Sequence, residues 1–65
     1  MQLELNGQSV DFEGASLLEL LEEYSLNKGR FAVELNLEVV PHSKISEVQL
    51  SQGDKIEVVK FVGGG

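Results

Sequence analysis

The chain has no cysteine and no tryptophan, and only one histidine and one proline. Without cysteine there is no disulfide, no thiolate metal site and no cysteine nucleophile. The lone histidine, His42, follows Pro41 and has no partner with which to form a nucleophile–base pair, so it reads as a solvated loop residue. Basic residues are scarce too: 5 Lys and Arg against 11 Asp and Glu give a net charge of −6. Lys28, Arg30, Lys44, Lys55 and Lys60 are scattered along the sequence, whereas a phosphate-backbone binder clusters its cations. Nucleic acid and anionic membrane are therefore poor partners, and a protein with a basic docking surface suits the charge better. No apolar run approaches membrane-spanning length. Met1-Gln2-Leu3-Glu4-Leu5 alternates and carries an acid, unlike a signal peptide. A soluble, cytoplasmic protein is the expectation. The carboxylates show no calcium-loop spacing and read as a solvated surface, with Glu19, Glu22 and Glu23 a candidate face for a basic partner.

What is present is one small domain. The length is 65 residues, 42% of them hydrophobic, and a chain of this size buries about 60% of its unfolded surface. Leu3 and Leu5 alternate with Gln2 and Glu4, and Asn6-Gly7 follows, both tolerant of the positive φ that a type I′ turn requires. A return strand over Gln8 to Phe12, with Val10 and Phe12 inward, completes a hairpin. Ser16-Leu17-Leu18-Glu19 reads as a capping box. A helix over Leu17 to Ser25 places Leu17, Leu20, Leu21 and Tyr24 on one buried stripe, with Asn27 or Gly29 as the stop. Ser16 is thereby a cap rather than a nucleophile.

Two further strands, Phe31 to Leu35 and Glu38 to Val40, flank a tight connection at Asn36-Leu37, and Pro41 ends the second because it has no amide to donate. Ser43 to Val48 reads as a 3₁₀ or irregular turn tucking in Ile45 and Val48. Ser51-Gln52-Gly53-Asp54 is a turn before a last strand over Lys55 to Val62. The order β-β-α-β-β-β gives an α+β fold, a mixed sheet of four to five strands with one helix over one face. The expected organisation is a domain over 1–62 and a flexible glycine tail over 63–65.

That tail is the unusual feature. Gly63-Gly64-Gly65 follows a strongly apolar strand. Glycines without Cβ atoms stabilise no fold but can thread a slot too narrow for any other residue. A carboxylate at Gly65, with a pKa of about 3.5, is ionised at neutral pH. An ATP-using partner could convert it to an acyl-adenylate inside a slot that excludes water, and the activated carbonyl could accept sulfur. A frayed terminus is the plain alternative. In the strand before the tail, Ile56, Val58 and Val62 can share the core-facing side, while Val59 and Phe61 face the side that no helix covers. Such a two-sided apolar strand implies a docking patch, or a loop folded over Phe61.

Taken together, Leu5-Asn6-Gly7, Leu17 to Leu21, Ala32-Val33-Glu34-Leu35-Asn36, Val39-Val40-Pro41, Gly53-Asp54 and Val62-Gly63-Gly64-Gly65 resemble the ThiS family of thiamine-biosynthesis sulfur carriers over essentially the whole chain. The resemblance implies a ubiquitin-like β-grasp fold and a recycled protein cosubstrate rather than an enzyme. It places the reactive carbonyl on Gly65 and the penultimate glycine on Gly64. An E1-like adenylating enzyme of the ThiF type would activate Gly65, and sulfur from a cysteine desulfurase would make it a thiocarboxylate. A ThiG-type thiazole synthase would then accept the sulfur. The protein would need no cofactor of its own, and Val59, Phe61 and Val62 would form the docking contact that aims the tail. Where family members often carry arginine after the proline and an aromatic residue in the next turn, this chain has His42 and Ile45. Three other readings stay open: a molybdopterin-synthase small subunit, a ubiquitin-like protein modifier joined through Gly65 to lysine, and an interaction module with an inert tail.

Overall fold

The computed structural model describes residues 1–62. Alternating and β-branched segments form a five-stranded sheet: β1 (Gln2–Leu5), β2 (Gln8–Asp11), β3 (Phe31–Leu35), β4 (Glu38–Val40) and β5 (Lys55–Lys60), in the spatial order β2-β1-β5-β3-β4. β5 lies in the middle, parallel to β1 and antiparallel to β3. The helix α1 (Leu17–Glu23) covers one face. Leu17, Leu20 and Leu21 are fully buried against Leu3, Leu5, Val33 and Ile56, and each such side chain contributes about 1.5–3 kcal/mol through its removal from water. This is the mixed sheet with one covering helix that the order of elements implies, and the β-grasp arrangement that the family resemblance implies.

Asn6 (φ 50°) and Gly7 (φ 81°) make the expected positive-φ hairpin turn. Asn36 (φ 52°) and Leu37 (φ 72°) repeat that geometry without a glycine. The two asparagines do a second job. Past the end of β1, Asn6 Oδ1 accepts from the amide of Val58 at 2.7 Å. Past the end of β3, Asn36 Oδ1 accepts from the amide of Lys55 at 3.0 Å. Each turn therefore clips the central strand on one side, supplying acceptors where a backbone partner has run out.

The capping box forms as read. Ser16 Oγ accepts from the Glu19 amide at 3.1 Å, and Glu19 Oε1 accepts from the amides of Ser16 and Ala15 at 2.9 and 3.0 Å. Those backbone donors, Ala15 first, hold the Glu19 carboxyl below its ordinary pKa by stabilising the charged form. A 3₁₀ helix over His42–Glu47 buries Ile45, and Val48 is half-buried beside it.

Four expectations about the helix and the last strand need correction. The helix does not run to Ser25 or wait for Asn27 or Gly29. Ser25 takes the left-handed conformation (φ 55°), with its amide bonded to Glu22 O and the Leu26 amide to Leu21 O. This Schellman closure uses serine where glycine is usual, and the half-buried Leu26 packs against the core beyond it. Tyr24, now the capping residue, leaves the stripe and is exposed. The last strand ends at Lys60 rather than Val62, because β3 begins at Phe31, the register partner of Lys60. Val62 accordingly does not share the core face: it is 92% exposed.

Candidate functional site

The site is built where β5 runs out. Its last backbone bond is Phe61 N–H to Arg30 O at 3.0 Å. Beyond Val62, the Gly63, Gly64 and Gly65 assigned to threading and activation lie outside the described residues, as does the expected flexible tail over 63–65. Of the proposed docking residues, Val59 and Phe61 are 49% and 57% exposed on the face away from α1, and Val62 projects beyond the sheet. The register sets Ala32 opposite Val59 and Val39 opposite Glu34 on that same open face. Val39, 68% exposed, thus belongs to the same uncovered face. Sequence reading missed it, although the consecutive apolar pair Val39-Val40 in a strand covered on one side was the signal available.

The face has an acidic surround. Glu34 and Glu57 are register partners on it, and Glu4 lies on β1 across from Lys55. The arrangement is apolar side chains interrupted by carboxylates, which fits a partner pairing apolar groups with cations. Glu19 is committed to the capping box, so of the three helix acids only Glu22 and Glu23 stand free of such a role.

The root of the tail is held by side chains. Lys60 projects to the helix side, where its ammonium donates to Leu26 O at 3.0 Å and to Lys28 O at 2.5 Å. It also lies 5.5 Å from the centre of the Phe31 ring, within cation–π range. His42 approaches Phe31 too, with ring centroids 4.6 Å apart and Nε2 2.7 Å from Phe31 O. A carbonyl only accepts, so Nε2 carries the proton in this contact. His42 is exposed, in keeping with its reading as a solvated residue, and the contact with Phe31 O tethers it in addition. Among the described residues there is no cavity and no cluster of three metal-ligating side chains. No helix among them is long and apolar enough to cross a membrane.

Comparison with known proteins places this architecture. The ThiS family model matches residues 2–65. The sulfur carrier protein ThiS of Bacillus subtilis is 38% identical over 65 residues, covering 97% of this chain and 98% of that one. A thiazole synthase of Paramagnetospirillum magneticum is 42% identical over 66 residues, but this chain spans only 20% of its length. A crystal structure of the thiamine biosynthesis protein ThiS from Geobacter metallireducens superposes with a TM-score of 0.83 at 32% identity, covering 100% of both chains. With a family match across nearly every residue and a full-length structural relative, the chain belongs to the ThiS family.

Proposed function

We propose that the chain is a sulfur carrier of thiamine biosynthesis, working as a consumed and regenerated protein cosubstrate. The Gly65 carboxylate attacks the α-phosphorus of ATP on an E1-like adenylating enzyme, pyrophosphate leaves, and an acyl-adenylate forms. Sulfur from a cysteine desulfurase arrives as a persulfide whose outer sulfur attacks the activated carbonyl carbon; AMP leaves, and a thiol reductant cleaves the resulting acyl disulfide, so the chain ends in a thiocarboxylate. A thiazole synthase then passes the sulfur to its substrate, an oxygen from that substrate or from water replaces it on the acyl carbon, and Gly65 returns to a carboxylate. The chemistry of activation lies with the partner, which supplies positioning and charge stabilisation. Gly63 and Gly64 pass through a slot that admits no Cβ, and Val59, Phe61 and Val62 dock beside it.

The observation that supports this reading is the placement of β5. A family match runs through residue 65, and the strand leading into the glycines is the central one, clipped on both sides and carrying exposed Val59 and Phe61. The presence of a similar segment within the P. magneticum thiazole synthase supports that enzyme class as the sulfur acceptor.

Intact-mass spectrometry tests the proposal. Incubation with ATP, the adenylating enzyme and a sulfur source should exchange one carboxylate oxygen for sulfur, with the change confined to the C-terminal peptide. Larger covalent adducts with other proteins would instead identify a modifier, and an unchanged mass would contradict both.

A further inference from the structure

The chain is strongly acidic, yet its charge is not evenly spread. Residues 24–33, 39–46 and 58–62 contain no Asp or Glu, and they hold Lys28, Arg30, His42, Lys44 and Lys60. The fold brings these separate segments to one place. Phe31 pairs with Lys60, Phe61 N–H bonds Arg30 O, Lys60 reaches the carbonyls of Leu26 and Lys28, and His42 closes on Phe31. The meeting point is the C-terminal end of β5.

The remaining cations are engaged elsewhere. Lys44 pairs with Glu47 at 3.9 Å, and Lys55 with Glu4 at 3.8 Å. Lys28, Arg30 and Lys60 form no ion pair among the described residues, and all three are exposed. A domain of net charge −6 therefore carries a positive collar around the root of its tail. Oriented charge of this kind acts on encounter more than on final affinity, since complementary fields steer association and like fields reject misdirected approach.

We infer that Lys28, Arg30 and Lys60 form a cationic collar that docks on a carboxylate-lined rim around the tail slot of the adenylating enzyme. This rests on the proposed activation of Gly65. It reverses the polarity of that partner at one place: cations meet the acidic open face, but acids surround the slot mouth. The collar orients the molecule tail-first and leaves the chemical step untouched.

The test compares two charge reversals of equal size, Arg30→Glu at the collar and Lys55→Glu at the far end of β5. Arg30 gives only its backbone carbonyl to the sheet, so its side chain can be changed without removing the Phe61 bond. Lys55 gives up one exposed ion pair, of little consequence to stability. The assay is ATP-dependent pyrophosphate release by the adenylating enzyme as a function of carrier concentration. At low ionic strength Arg30→Glu should lower kcat/KM by about tenfold, with kcat within about twofold, while Lys55→Glu changes kcat/KM by less than about twofold. Near 1 M salt, where charges are screened beyond about 3 Å, the gap between the variants should close. Equal losses in both variants would assign the effect to net charge and overturn the collar. No loss in Arg30→Glu, a gain, or a loss that persists in high salt would overturn it too. A wild-type chain that gives no pyrophosphate release overturns the functional reading first, and the collar with it.

Discussion

Replacing Lys60 with methionine keeps the length of the side chain and its contact with Phe31 but removes the ammonium. Two hydrogen bonds are lost, to Leu26 O at 3.0 Å and Lys28 O at 2.5 Å, together with a cation held 5.5 Å from the Phe31 ring. Hydrogen bonds from a charged donor contribute about 1.5–3 kcal/mol each when well desolvated. Lys60 is exposed, and exposed charged contacts fall well below that range. The cation–π contact at an exposed site adds about 0.5–1 kcal/mol. The expected net loss for Lys60→Met is about 1–2 kcal/mol. At about 4–8 °C per kcal/mol for a domain of this size, the melting temperature should fall by about 4–16 °C. The control is Lys44→Met, which loses only an exposed ion pair to Glu47 at 3.9 Å and should stay within about 0.5 kcal/mol of the parent chain. Thermal and urea unfolding followed by circular dichroism measure both. Hydrogen exchange localises the effect, with faster exchange expected at the Phe61 amide, the last bond of β5. Equal stability of the two variants would refute the reasoning, because it would mean the ammonium does not bind the loop after α1.

Other perturbations probe other links in the chain of inference. Leu20→Ala opens a cavity at a fully buried position and should cost about 2–5 kcal/mol, a large part of the about 3–10 kcal/mol expected for a domain of this length. If that variant does not fold, Ile56→Val, also fully buried, should cost about 0.5–1.5 kcal/mol and can be read from urea midpoints, where no change would contradict the assigned core. Glu19 has a folded pKa depressed below 4.5 by the amides of Ala15 and Ser16, so its stabilisation is present above the unfolded pKa and is lost as pH falls through the folded value. The stability gap between the parent chain and Glu19→Gln should therefore be widest near neutral pH and close under acid, and a constant gap would count against the capping role. Phe61→Asp should weaken binding to the adenylating enzyme in a calorimetric titration while leaving the urea midpoint unchanged, and full affinity would remove Phe61 from the docking surface.

The elements most legible in the sequence are those fixed by neighbouring residues. Asn6-Gly7 makes its turn whatever else the chain does, Ser16 and Glu19 cap each other across one helical turn, and Pro41 ends β4 for want of an amide. The features that escaped are decided by distant partners. Ser25 accepts an unfavoured left-handed backbone in the closure that precedes the core contact of Leu26, and no local rule sets that against the stop signal of Gly29. The end of β5 depends on where β3 begins, so the strand position that the apolar run implies for Val62 has no partner. His42 is tethered by a carbonyl 11 residues away, and Lys60 by carbonyls 34 and 32 residues away. Scattered cations in the sequence became a collar only through those long-range bonds. The glycine tail stands apart from both groups, being read from residue type alone.

The most direct measurement is the intact mass, with C-terminal peptide mapping, of the protein isolated from cells that are actively making thiamine, alongside a Gly64→Ala variant prepared in the same way. The account predicts sulfur in place of one oxygen at Gly65 in the parent chain and an unmodified carboxylate in the variant, whose added methyl blocks the slot. Sulfur at Gly65 in both chains, or in neither, would contradict it.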